Sequence, residues 1–123
     1  MVEWLQHSRT GLKVDRVIVA QSDPIHAPHL IDIEVVDAIR RHLRLGALTD
    51  RRAQQAFWDL IHVPCVRHEH YPFLPRIWEL RNNVSPYDAV YIALTEFLGA
   101  KLLTCDGGLA AAPGHKARIV YVS

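Results

Sequence analysis

The sequence predicts an α/β fold, with a central, mainly parallel sheet covered by helices on both faces in three α/β/α layers. Three observations predict it. Segments of helical period are interleaved along the chain with short apolar runs of strand length, which implies a covered parallel sheet. Tyr87 to Leu98 is apolar at nearly every position, the mark of a helix buried on most sides. Directly after it, past Gly99, the run Lys101 to Cys105 reads as a strand heading inward and stops on Asp106, Gly107 and Gly108.

The elements follow in order. "VEWLQ", residues 2 to 6, reads as a helix fragment, and Leu12 to Gln21 holds an apolar stretch of ambiguous type that Ser22-Asp23-Pro24 breaks. "IHA" before Pro28 reads as a short strand. His29 to Leu45 is a helix with Pro28 near its start and Gly46 past its end. Thr49 caps a second helix running to about His62, and "PCVR" is a short strand. "RHEHYPFLP" is polar and broken by proline, so it reads as an exposed loop; His68 and His70 would share a face only on a strand, which argues against a metal pair there. A helix over Phe73 to Arg81 comes next. Ser85-Pro86 then opens the apolar helix, Gly99 stops it, and Arg118 to Val122 is the last strand.

Composition narrows the function classes. With 123 residues, half of them apolar and 22% charged, the chain is expected to form one domain with a real core. No apolar run approaches the length needed to span a bilayer, and the first residues lack the pattern of an export signal, so a soluble cytoplasmic protein is expected. Cys65 and Cys105 have no CxxC or zinc-finger spacing and are expected to be free thiols. A net charge of +1 argues against nucleic-acid binding through the overall field. The charge is uneven, however: "RRHLRLGALTDRR" carries Arg40, Arg41, Arg44, Arg51 and Arg52 with one acid among them.

Three acids stand out, each with a structural explanation beside a functional one. Asp106 lies where a parallel strand ends, the place where α/β sheets collect ligands; it equally suits a tight turn or the cap of the short "LAAA" helix. Asp88 completes a capping-box pattern with Ser85, yet it sits in a mostly apolar helix, where an ionised carboxylate needs a counter-charge. Glu34 falls at the boundary between the polar stripe Asp37, Arg40, Arg41, Arg44 and the apolar side Ile31, Val35, Ala38, Ile39. Asp32 projects into that apolar side and is a rival that periodicity does not eliminate. Carboxylates brought together repel unless a divalent cation binds them, and hard oxygen ligands without a thiolate or imidazole cluster suit Mg²⁺ or Mn²⁺.

"SPYDAVYIALTEFLGAKLLTCDGGLA" resembles the stretch in which PIN domains of the VapC type carry their last two acids, down to the "YDA.Y.AL" helix and the "LLT.D" strand. "APHLIDIEVVDAIRR" is similar to the family's earlier helix, and its "EV..A.RR" pattern selects Glu34 over Asp32. "VEWLQ" resembles the family's first helix. The resemblance implies that Glu34, Asp88 and Asp106 belong to an acidic cluster holding Mg²⁺ or Mn²⁺, with Thr104 as a site hydroxyl. It implies hydrolysis of RNA phosphodiester bonds by the toxin of a toxin-antitoxin pair, a VapB-type antitoxin as partner, and a homodimer. Arg40, Arg41 and Arg81 would hold the RNA backbone, against the plainer expectation of a solvated helix face on which Asp37 pairs with Arg41.

The family opens with a short strand ending in an aspartate, just before the segment matched by "VEWLQ". This chain starts after that point, so the expected domain over residues 1–123 lacks that strand and its acid, and an upstream start is expected for the natural product. The alternative is a catalytically impaired module of the same fold that pairs with an antitoxin or RNA without cleaving. An unrelated domain for small phosphorylated ligands is weaker, because no glycine-rich phosphate loop follows any strand.

Overall fold

The computed structural model describes residues 25–104 and 111–121. The expected helix at residues 2–6, the ambiguous stretch at 12–21, Cys105 and Asp106 lie outside the described residues. The described elements are β1 (Ile25–Pro28), α1 (Leu30–Arg44), α2 (Asp50–His62), β2 (Cys65–His68), a 3₁₀ turn (Tyr71–Phe73), α3 (Leu74–Glu79), α4 (Pro86–Leu98), β3 (Lys101–Thr104) and β4 (Arg118–Tyr121). They confirm the α/β class. No described helix is long and apolar enough to cross a membrane. The chain divides into two compact units, Met1–Ile25 with Leu30–Val66 and His26–His29 with Arg67–Ser123.

In the first unit, α1 packs against α2. The buried residues of α1 are Ile31, Val35, Ala38 and Ile39, the apolar side read from the sequence, and those of α2 are Ala53, Ala56 and Leu60. Thr49 caps α2 as expected, its hydroxyl accepting the Arg52 N–H at 3.2 Å.

The second unit is built around α4. Ser85 is extended and its hydroxyl accepts the Asp88 N–H at 3.2 Å, so the helix opens at Ser85-Pro86 as expected, with Pro86 at its first position. Ala89, Val90, Ile92, Ala93, Leu94 and Thr95 are buried. Gly99 ends the helix in the left-handed region, φ 62°, where any Cβ would be strained. After that single tight turn the chain returns as β3, which pairs in parallel with β4 in the register Lys101 to Arg118 through Thr104 to Tyr121. Leu80, Ala89, Ile92 and Leu102 form the core, with Ile77, Val84, Tyr91, Ala117 and Ile119 packed around it.

Two local expectations are corrected. The short strand read at "PCVR" is β2, but it runs one residue further and takes in His68 from the segment read as a loop; β2 borders β1, and the His29 N–H donates to the His68 carbonyl at 2.8 Å. Arg67 and His68 are both polar, so the end of so short a strand does not stand out from the loop that follows. The helix expected over Phe73 to Arg81 is a 3₁₀ turn followed by α3, which ends at Glu79. Pro72 and Pro75 sit in the opening positions of these two elements, where a missing N–H costs nothing, rather than interrupting one.

Candidate active site

Asp88 stands in the first turn of α4, half-buried, with its backbone N–H taken by the Ser85 cap. An acid in this turn is favoured by the positive end of the helix dipole. Because α4 and β3 pack together and are joined by one tight turn, the chain reverses, and the start of the helix and the end of the strand point to the same side of the unit. Thr104 closes β3 on that side, opposite Tyr121 of β4. The topology therefore brings Asp88 and Thr104 to one end of the second unit, the end at which parallel strands finish.

Glu34 belongs to the first unit. It is half-buried on α1, between the buried Val35 and Ala38 and the exposed Asp37, Arg40 and Arg41, so the boundary position read from the sequence is the observed one. Asp32 is half-buried in the first turn of the same helix. Asp106 is outside the described residues. Among the described residues no three His, Cys, Asp or Glu side chains gather as a group able to hold a metal ion.

The arginines fall into two kinds. Arg40 and Arg41 both pair with Asp37, at 3.6 and 3.2 Å, on an exposed face. Such pairs are worth at most about 1 kcal/mol and open readily. Arg81 instead lies over the Trp78 ring, 4.4 Å from its centroid, and donates to the Trp78 carbonyl at 2.9 Å. Trp78 was not singled out by its sequence context.

A second arrangement that sequence reasoning missed braces α4 from the other side. Arg76 of α3 donates to both carboxylate oxygens of Glu96, at 2.8 and 2.9 Å, and also reaches Glu79 at 3.1 Å and the Gly114 carbonyl at 3.3 Å. Glu96 further accepts the Lys116 N–H at 2.7 Å. Arg76 and the Lys116 N–H hold the Glu96 carboxyl below its ordinary range against the opposing effect of burial, and Glu96 and Glu79 raise the guanidinium of Arg76. Gly114, at φ 88°, faces the side chain of Asn83 so closely that a Cβ there would clash with it. The segment entering β4 is thus fixed to both α3 and α4.

Of the two histidines expected to be exposed, His70 is exposed and His68 is half-buried. His26 Nδ1 and His68 Nε2 are 2.8 Å apart, and burial, together with His26 and His29, holds the His68 imidazole below its ordinary value. His68 also borders a 580 Å³ cleft with Phe73, Arg76, Glu96 and Phe97. Asp88 does not line that cleft, so it is separate from the candidate site.

Residues 1–114 match the PIN domain family. Among curated proteins, the chain is 34% identical to Ribonuclease VapC12 of Mycobacterium tuberculosis over 122 residues, covering 99% of this chain and 93% of that one. It is 42% identical to Ribonuclease VapC1 of the same organism over 101 residues, covering 79% and 74% respectively. Ribonuclease VapC3, also of M. tuberculosis, is 36% identical over 112 residues, covering 91% and 81%. The similarity spans both units and includes the capped acidic helix and the strand after it, and the chain belongs to the PIN-domain family, a three-layer α/β/α fold, as one of its VapC-type members.

Proposed function

We propose that the chain is an endoribonuclease dependent on Mg²⁺ or Mn²⁺ and acts as the toxin of a VapBC-type pair. The observation that carries this reading is Asp88, a half-buried carboxylate at the head of a mostly apolar helix, on the side where the parallel strands end. The names of the relatives, all ribonucleases, support the reaction class.

In this reading Asp88, Glu34 and Asp106 hold the cation, with Thr104 as a site hydroxyl. The donors suit such an ion because they are hard oxygens. When bound, the ion polarises the phosphate, makes water a better nucleophile and offsets charge on the leaving oxygen. The protein's own contribution is placement. Ser85 fixes the first turn of α4 and so the position of Asp88, and the helix N-terminus adds a field that favours an anionic phosphate. Arg40 and Arg41 bind the RNA backbone by exchanging Asp37 for phosphate, which the low cost of opening exposed pairs permits.

The partners in this reading are RNA, a second copy of the chain, and a VapB-type antitoxin whose segment lies across the acidic cleft and offers an arginine to the carboxylates. The setting is the cytoplasm. The test is incubation with structured RNA in Mg²⁺, in excess EDTA, and in EDTA followed by excess Mg²⁺. Cleavage in the first and third conditions only is expected. Cleavage that persists in EDTA contradicts the metal requirement, and RNA binding without cleavage in Mg²⁺ selects the catalytically impaired module.

A further inference from the structure

Folding alone does not account for Trp78. It is 67% exposed at the end of α3, while the core of the same unit is closed by Leu80, Ala89, Ile92 and Leu102. Tryptophan is enriched at contact surfaces, where its ring offers a large apolar area and its N–H stays wet.

The setting is fixed by Arg81. Its guanidinium lies over the indole, 4.4 Å from the centroid, and is held there by the bond to the Trp78 carbonyl at 2.9 Å. The residue remains exposed with the guanidinium over its ring, which leaves indole surface open to a further flat group. Glu79, the acid on α3, is engaged by Arg76, and Arg81 forms no ion pair among the described residues. A flat open ring beside a guanidinium that no described acid pairs with suits a ligand that is both aromatic and anionic.

Position adds the last element. The Val84 N–H bonds to the Leu80 carbonyl, and the Ala89 N–H to the Ser85 carbonyl, so the chain between Trp78 and Asp88 is folded into consecutive turns. With these turns closed, Leu80 and Asp88 are at most about 15 Å apart, within a few nucleotides of a single strand.

We propose that Trp78 and Arg81 form a stacking platform for an unpaired RNA base next to the candidate site, with Trp78 stacking the base and Arg81 neutralising the adjoining phosphate. The proposal rests on the ribonuclease reading and names the form of RNA that this site receives: a loop or single strand whose bases are free to splay out, not a continuous duplex. The indole accepts any base, so the platform contributes affinity and position without reading sequence. Charge complementarity favours RNA over a protein partner, because an apolar protein contact would leave Arg81 without a counter-ion.

The test measures binding of a fluorescein-labelled single-stranded oligoribonucleotide by anisotropy, with Asp88→Asn as the uncut parent. Trp78→Ala should weaken binding by about tenfold to a hundredfold, and Trp78→Phe should recover most of it. Arg81→Ala should reduce the slope of log affinity against log salt by about 0.7, one phosphate contact on a single strand. In the active protein, Trp78→Ala should raise KM with little change in kcat. Circular dichroism checks that each variant is folded, which the exposure of both side chains favours. Unchanged binding in folded Trp78→Ala overturns the platform. So does loss of binding that Trp78→Phe fails to recover, or loss of self-association without any change in RNA affinity. If Trp78→Ala weakens binding but the active protein never cleaves, the platform stands and the ribonuclease reading fails. If cleavage depends on Asp88 but binding ignores Trp78, the reverse holds.

Discussion

Asp88→Asn is expected to lower the rate of RNA cleavage by at least about a hundredfold while leaving the fold in place. Loss of even an outer partner of a metal ligand costs about 10–100-fold, and removing a ligand itself costs no less. The substitution keeps the shape and the backbone cap, because Ser85 accepts the Asp88 N–H and that bond does not use the carboxylate. Among what the helix loses is the attraction between a negative charge and its positive end, about 0.3–1 kcal/mol. Activity and stability should therefore separate. Single-turnover cleavage of a structured RNA, read beside urea unfolding of the same preparation, gives both numbers. Cleavage within about threefold of the parent would remove Asp88 from the site, since any loss that small is under 1 kcal/mol of barrier.

The largest expected effect on stability belongs to Glu96. Glu96→Gln should destabilise the fold by about 2 kcal/mol at neutral pH, the scale of charge-assisted hydrogen bonds that lose their charge. The carboxylate receives a two-pronged contact from Arg76 and the Lys116 N–H, and its side chain is only 17% exposed beside an Arg76 that is 31% exposed. Solvent screening is thus weaker here than at the Asp37 pairs.

The same contacts set a pH dependence. Glu96 has a folded pKa below its unfolded value of about 4.5, so the unfolded chain binds the proton more readily. The stabilisation is complete above that value and is lost as pH falls through the lower, folded one. Arg76 stays charged throughout this range, since its pKa is raised. The stability gap between the parent and Glu96→Gln, measured by urea unfolding, should therefore be constant from pH 7 to about 5.5 and shrink below pH 4.5. A gap that stays the same down to pH 3.5, or none at pH 7, would show that the clamp does not bear on stability.

The contrast between Asp88 and Glu96 shows what a sequence makes legible. Local rules reached Asp88: Ser85 and Pro86 mark a helix start, Gly99 marks its end, and the apolar run between them predicts burial, as observed. The same period-based reasoning found the buried side of α1 and placed Glu34 at its edge. Glu96 reads locally as an ordinary acid near a helix end. Its partner, Arg76, is 20 residues away, and the second donor comes from Lys116 on the far side of β3, so no local pattern connects them. Trp78 was hidden for a related reason, because its role follows from an exposure that periodicity does not report. His68 was misread because the short strand read at "PCVR" ends on polar residues, where alternation does not mark its last position. For the acids themselves, local rules say which helix or strand end each occupies, and only the family resemblance joins Glu34, Asp88 and Asp106 into one set.

That union is the central claim, and it can be measured without RNA. Calorimetric titration of Mn²⁺ into the parent protein and into Glu34→Gln, Asp88→Asn and Asp106→Asn asks whether three distant carboxylates serve one ion. One site is expected in the parent, weakened at least about tenfold by each of the three substitutions, and unaffected by Asp32→Asn. Mn²⁺ binding that none of the three substitutions changes would contradict it.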